Sequence, residues 1–337
     1  MLCWLSWILW HDVVMDDAQI KNGLTECSTQ MPSTPLRHWP AHLTLRFAFE
    51  EAAHSQAAQP KATQPLATHG SGFNKESRSY LAFKQHRGPL VLQKSLHPEG
   101  PSVCHGVVVH PPGGVAGGDA LTLEVTLESH AQVLLTTPGA GKWYKANGQS
   151  ASQHLAFSLA ANASLEWFPQ ENILFDGAQV DFSARIDLAA DACYAAWDIV
   201  CFGRQAQQER WQTGHMHQNV AIYRQQKLIW REVAALTPHS HCMQSIAGLS
   251  GNPVSASFIV VAGTVPVEVL EACKTVQPNL ALDLQARYGV TALPEVFSAR
   301  YVGQSAQTAK QYFEQLWQIL RPWYASRAAA RPRIWNT

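Results

Sequence analysis

The sequence predicts a mainly β protein, and three observations carry that reading. Short runs of alternating apolar and polar residues recur along the chain, the period-2 signature of half-buried strands. Glycine and proline, 21 and 19 in number, punctuate those runs, and no strand–helix–strand rhythm separates them. Helical spacing is confined to two late segments. A sandwich, a barrel or a helix-like stack of sheets satisfies this pattern. No repeat of fixed period is visible, so a regular solenoid does not follow from the sequence itself.

In chain order, Ala41, Leu43, Leu45, Phe47 and Phe49 alternate with His42, Thr44, Arg46 and Ala48, which marks an opening strand. From Glu50 to about Lys75 large apolar side chains are nearly absent, so the segment cannot offset its ordering entropy and reads as a disordered insertion in a hairpin. Strands are then expected at about 80–84, 90–94, 103–109, 120–128, 131–137, 154–160, 163–168, 179–188, 193–201, 219–225, 227–233 and 255–262. In the fourth of these, Leu121, Leu123, Val125 and Leu127 point one way while Thr122, Glu124, Thr126 and Glu128 point the other. Val180, Phe182, Ala184, Ile186 and Leu188 alternate equally well. Pro266 to Val276 spaces as a short helix with proline in its first turn. Ala309, Phe313, Leu316, Trp317 and Leu320 share one face of a second helix, which Pro322 is expected to stop.

At 337 residues and 46% hydrophobic content the chain can bury a full core without a disulfide or metal staple. Lys plus Arg equals Asp plus Glu at 25 each, so no long-range field draws in nucleic acid or an anionic membrane, and neither is expected as a partner. Charged residues make up 15% of the chain and Trp occurs 12 times, a sparse polar coat that predicts exposed apolar surface for a protein partner. Seven cysteines without a C-x-x-C pair read as reduced thiols. Met1 to Trp10 is apolar but far short of the roughly 20 residues of a membrane span, and it lacks the basic flank and cleavage site of a secretory signal. A cytoplasmic location follows.

The most informative stretch is His110-Pro111-Pro112-Gly113-Gly114-Val115-Ala116-Gly117-Gly118-Asp119, a contorted turn feeding the strand at 120–128. After it come Leu134 to Tyr144, containing Thr137-Pro138-Gly139-Ala140-Gly141-Lys142-Trp143-Tyr144, then Leu165 to Glu171, Phe175-Asp176-Gly177-Ala178, Phe202-Gly203-Arg204, Glu209-Arg210 and a closing Arg331-Pro332-Arg333-Ile334-Trp335. In that order and at those separations the chain resembles the urease accessory protein UreD family, called UreH in some systems. The resemblance runs from about Trp39 to Thr337, interrupted at about 50–75. It implies a single domain over residues 37–337, folded as an irregular β-helix-like stack of mixed sheets with a small helical part near the C-terminus. It leaves residues 1–36 as a disordered or mis-started extension, with Met15 and Met31 as alternative starts. It further implies a non-catalytic scaffold of urease maturation that binds apo-urease subunits and UreF, reaches the GTPase UreG through UreF, and helps deliver nickel. No tightly bound cofactor is implied, nickel being held only transiently.

The residues themselves give no catalytic motif. Gly139-Ala140-Gly141-Lys142 departs from a phosphate loop at both ends, where Thr136 and Trp143 stand. Glycines 113, 114, 117 and 118 precede a strand rather than a helix and lack dinucleotide-loop spacing. Neither G-x-S-x-G nor H-E-x-x-H occurs. Two histidine clusters, His215-Met216-His217 and His239-Ser240-His241-Cys242, carry donors suited to Ni²⁺, Cu²⁺ or Zn²⁺, against the alternative of a solvated strand edge. Asp119, Glu166, Glu171, Asp176 and Asp198 stand in or beside apolar strands, where a carboxylate is costly unless paired or metal-bound. The first four are the expected border of a nickel route. Asp119 and Asp176 can equally cap turns beside glycine, and Glu166 should face away from the core toward solvent, a partner or an internal passage. Lys142, Trp143, Tyr144, Lys145 and Trp211 have an interfacial composition, with core packing as the competing fate of each Trp. Two other functional classes compete: a metal-dependent hydrolase using His215, His217, His239 and His241, and a carbohydrate-binding β-stack with an aromatic platform.

Overall fold

The computed structural model describes residues 39–52 and 76–336. The extension over 1–36 and most of the insertion at 50–75 lie outside the described residues. In chain order the strands are β1 (Pro40–Glu50), β2 (Arg78–Arg87), β3 (Val91–Leu92), β4 (Val103–Val109), β5 (Ala120–Leu127), β6 (Gln132–Thr136), β7 (Gly141–Trp143), β8 (Ala151–Leu159), β9 (Ser164–Phe168), β10 (Asn172–Leu174), β11 (Gln179–Leu188), β12 (Cys193–Phe202), β13 (His215–Arg224), β14 (Lys227–Leu236), β15 (Val254–Val261), β16 (Arg287–Ala292) and β17 (Val296–Gly303). The helices are α1 (His241–Gln244), α2 (Val267–Thr275) and α3 (Ala306–Ala325).

Two mixed sheets form. One runs β14-β13-β11-β8-β5-β1-β2, the other β16-β17-β15-β12-β9-β6-β4-β3, with β7 and β10 extending the second beside β12. The chain coils between them: β5, β8 and β11 pair in parallel in the first sheet, β6, β9 and β12 in the second. The fold is therefore a solenoid-like stack, as the resemblance implied.

Each coil turns its corner on a buried alanine. Leu127 to Ala131, Leu159 to Ala163 and Leu188 to Ala192 occupy equivalent positions, and Ala131, Ala163 and Ala192 are all buried to within 1%. The corners are stitched together, Ser164 N–H donating to the Ala131 carbonyl and Cys193 N–H to that of Ala163, each at 2.9 Å. His130 and Asn162 take positive φ there, a region in which histidine and asparagine are enriched among non-glycine residues. A coil takes roughly 30 residues, but Leu123 pairs with Leu155 and Leu155 with Ala184, so successive coils differ in length. That inequality is why no fixed period shows in the sequence.

Two apolar layers result. The first fills the space between the sheets, with Leu43, Phe47, Leu123 and Phe157 from one side and Leu135, Leu165 and Val200 from the other. The second packs α3 and part of α2 on the outer face of the ten-stranded sheet, through Phe168, Trp197, Phe258, Phe313, Leu316 and Trp317. Trp335 also lies in this layer, its indole N–H donating to Thr136 Oγ1 at 2.7 Å, so the closing Arg331–Trp335 segment is docked.

The expected strands are all present, but four more occur. β7 and β10 have only three residues each, too few for a pattern. β17 is buried on both faces, between the inter-sheet core and α2–α3, so it reads without clean alternation, and β16 follows it as its edge partner. A correction concerns the second helix: Pro322 does not stop it, and α3 continues to Ala325. Arg321 and Tyr324 in that last turn are anchored to a buried carboxylate, which holds the turn although Pro322 offers no N–H.

Candidate functional site

The separated motifs of the sequence meet at one end of the stack. The glycine turn is zipped to the next loop, Val115 N–H donating to the Lys142 carbonyl at 2.7 Å and Tyr144 N–H to that of Val115 at 2.9 Å. The Tyr144 ring lies over Gly114, where an added Cβ would fall 2.3 Å from the ring, so a larger residue there would push the exposed tyrosine aside. Tyr144 meets Phe175 edge-on at 5.0 Å, and the Arg204 guanidinium lies 4.5 Å from the centroid of the same Phe175 ring. Ala146 N–H donates to the Gly177 carbonyl and Gly203 N–H to that of Leu174. Four motifs thus become one layered set of loops.

Behind these loops lies a cavity of about 370 Å³ between the sheets, its wall running from exposed Gly113 and Lys142 inward to Asp198 and Gln218. Asp198 on β12 sits in phase with Tyr194, Val200 and Phe202, which face the inter-sheet core. It is deep in the protein yet keeps accessible surface because it fronts the cavity. Gln218 Nε2 donates to its Oδ2 at 2.7 Å, and Asn172 Nδ2 donates to its Oδ1 at 3.3 Å while Asn172 Oδ1 accepts the Trp143 indole N–H at 3.0 Å. Burial pushes the Asp198 pKa up, and neighbouring Glu232 adds to that, against the two neutral hydrogen bonds and Arg300. Glu232 also lines the cavity and takes two guanidinium N–H groups from Arg300. The mostly apolar wall of the cavity thus carries one carboxylate deep inside, Asp198, and an arginine-paired one, Glu232, on the edge strand β14, and around these groups it can admit water or a hydrated cation where hydrocarbon packing could not.

Of the carboxylates expected to border a nickel route, Asp119 lies in the glycine turn, its Oδ2 accepting Ala116 N–H at 2.9 Å. Asp176 accepts the N–H groups of Gln212 and Thr213 at 2.8 Å each, which brace the loop before β13; burial, the largest single influence, would raise its pKa, but these bonds together with those from the Thr213 hydroxyl and Gly177 N–H hold it down. Glu171 is half-buried, its carbonyl bonded to Gly141 N–H, beside the cavity-lining Gln170. Glu166 lies apart from these three. It faces away from the inter-sheet core, and α3 covers it, leaving it 3% exposed. Trp317 Nε1–H donates to it at 2.8 Å, Tyr324 O–H also donates, and Arg321 bridges it at 2.8 Å. Arg321 in turn pairs with Glu99 at 2.6 Å, and His105 stands 2.6 Å from the same carboxylate. Burial alone would raise the Glu99 pKa, but hydrogen bonds from His105 and Arg321 hold it at about 2.

Among the residues with interfacial composition, Lys142, Tyr144 and Lys145 are exposed. Trp143 and Trp211 are buried, at 1% and 6% exposure, Trp143 against Phe182 and Trp211 against Phe202. Those two contribute to the core and do not reach the surface.

The histidine clusters part company. His215 and His217 project from the outer face of β13 and are joined by Asp181 of β11, one donor atom of each lying within 4.8 Å of the others. His239 and His241 are exposed and, among the described residues, assemble with no third donor of this kind. His241 and Cys242 are neighbours on one helical turn and so point apart. The buried thiols of Cys104, Cys201 and Cys273 are pushed up to about 11, 12 and 12 by desolvation, so they stay protonated and are poor metal ligands.

Sequence reasoning named Asp198 as costly but did not place it at the site, and it missed Gln218 and Glu232. Alternation held the signal. Gln218 falls in phase with Met216 and Ile222, and Glu232 with Trp230 and Leu236, where an apolar side chain belongs.

Comparison with known proteins agrees with these features. The family model described as UreD urease accessory protein matches residues 67–336. The chain is 59% identical over 264 residues to the urease accessory protein UreD of Methylobacillus flagellatus, covering 78% of this chain and 91% of that one. It is 44% identical over 265 residues to UreD of Dechloromonas aromatica, covering 77% and 90%, and 42% identical over 275 residues to UreD of a Janthinobacterium species, covering 78% and 92%. With the layered loops, the coiled β-stack and the docked C-terminal segment in place, the chain belongs to the urease accessory protein UreD family.

Proposed function

We propose that the chain is a non-catalytic scaffold of urease maturation, acting in the cytoplasm, that binds apo-urease subunits and UreF, is linked to UreG through UreF, and helps pass nickel into urease. Family membership supports the urease role. The observation that supports the nickel reading is the cavity, whose mostly apolar wall carries Asp198 deep inside and Glu232 at the sheet edge, and which opens toward the layered loops. Nickel is here a cargo and not a resident cofactor. A route that binds weakly suits it, because carboxylates and amides exchange a hydrated cation where a closed thiolate or imidazole site would retain it. Asp119, Glu171 and Asp176 border the loop end of this route and Asp198 its interior. Glu166, expected on the same route, serves the helix layer through Arg321, and its contribution is to hold α3 in place. No helix among the described residues is long and apolar enough to cross a membrane.

The experiment is nickel analysis of urease co-expressed with UreF, UreG and either this chain or its Asp198→Asn variant. An asparagine keeps one acceptor oxygen for Asn172 Nδ2, and Gln218 can turn its amide so that its oxygen accepts the new NH2, so the variant should fold and still co-purify with urease while nickel content falls several-fold. Unchanged nickel content with a folded, co-purifying variant would remove the interior carboxylate from the route.

A further inference from the structure

Outside the cavity, the outer face of the seven-stranded sheet carries a second set of donors. In parallel register Asp181 of β11 lies opposite His217 of β13, and Gln179 opposite His215. Residues two apart on a strand share a face, so His215 and His217 stack with ring centroids 5.0 Å apart, and the neighbouring strand brings Asp181 Oδ1 to 3.1 Å from His217 Nδ1. Ser150 Oγ stands 3.1 Å from His215 Nε2 and orients that ring from a third segment. His217 is exposed and the other two are half-exposed, so solvent reaches the group.

From this geometry we propose that Asp181, His215 and His217 form a surface site for one divalent transition-metal cation of the Ni²⁺, Zn²⁺ or Cu²⁺ class. Two imidazoles and a carboxylate are a borderline donor set that selects these ions over Mg²⁺ and Ca²⁺, which prefer all-oxygen shells. With bonds of about 2.0–2.2 Å to nitrogen and oxygen, donors around a shared ion stand roughly 3–3.5 Å apart. The three donors, already within 4.8 Å of one another, reach that spacing by side-chain rotation without moving the strands. Ser150 supplies the outer hydrogen bond by which ligating histidines are commonly oriented. Three protein ligands leave positions for water, so the ion exchanges with solvent. Met216 and Gln218 point to the opposite face of the same strand, so this site is separate from the cavity. Its use as a holding point for cargo nickel rests on the maturation reading; the site itself does not.

The test is equilibrium dialysis of the full-length chain against Ni²⁺ and, separately, Zn²⁺, with Mg²⁺ as control, comparing wild type with His217→Ala, Asp181→Asn and the double variant His239→Ala/His241→Ala. Circular dichroism checks that each is folded, which exposed positions should allow. The expected result is loss of one equivalent in His217→Ala, affinity weaker by about 10-fold or more in Asp181→Asn, and full retention in the double variant. In the Cu²⁺-loaded wild type, electron paramagnetic resonance should show coupling to two imidazole nitrogens, a signal that His217→Ala should lack. Identical stoichiometry and affinity in wild type and His217→Ala would overturn the site. Neither measurement involves urease, so a chain that binds the ion here but loads no urease refutes the maturation reading alone.

Discussion

Arg321 shows how a single residue can decide whether a polar cluster stabilises or breaks the fold. Its side chain is 1% exposed and faces two carboxylates: Glu99, which also has His105 at 2.6 Å, and Glu166, whose one ion-pair partner among the described residues is Arg321. Removing it strands the buried Glu166 charge and leaves Glu99 with His105 alone, a loss of about 3–5 kcal/mol by the usual cost of breaking a buried pair. Arg321→Ala should therefore lower the urea midpoint at neutral pH by an amount of that size, and a shift near zero would mean the cluster is not closed as described. The pH dependence has a definite sign. Glu99 is held at about 2 against an ordinary 4.5, so the folded state binds its proton less readily than the unfolded chain. Its contribution is complete above about pH 4.5 and is lost as pH falls toward 2. Acid titration of wild type should show that loss, and Glu99→Gln should flatten it.

At the scale of elements, the alternating segments were legible because each buries one face only. β5 and β11 follow their apolar residues inward almost without exception. Legibility failed where burial is two-sided, as in β17, or where polar residues occupy the inward phase, as in β13, whose first four residues were not expected to be strand. The site suffered most from this. Asp198, Gln218 and Glu232 break the pattern of their strands, and such a break is ambiguous in sequence because the partner strand that completes the cavity is distant along the chain. Asp181 was invisible as a ligand for the same reason, since only the parallel register brings it to His217. The corner alanines were visible but unread, because their spacing is unequal. They carry a testable load: Ala163 is packed between Ala131 and Ala192 in successive corners, and Ala163→Leu should cost about 1–3 kcal/mol by overpacking. Denaturant unfolding measures this, and a neutral effect would mean the corners have room that the stack does not show.

At the scale of the whole molecule, the layers divide the work. The outer helix layer and its ion network hold the ten-stranded sheet, the inter-sheet core holds the coils and surrounds the cavity, and the family motifs gather as loops at the cavity's end. A chain built this way offers partners a surface and a lined interior. The resemblance to UreD was legible in the sequence because those loops keep their order and glycine spacing, whereas the cavity behind them required the fold. The most direct measurement is co-expression of apo-urease subunits, UreF and UreG with and without this chain tagged, reading both co-purification and nickel per urease active site. The account expects urease and UreF to be recovered on the tag and nickel loading to depend on the chain. A soluble, folded chain that retains neither partner and leaves nickel loading unchanged would contradict it.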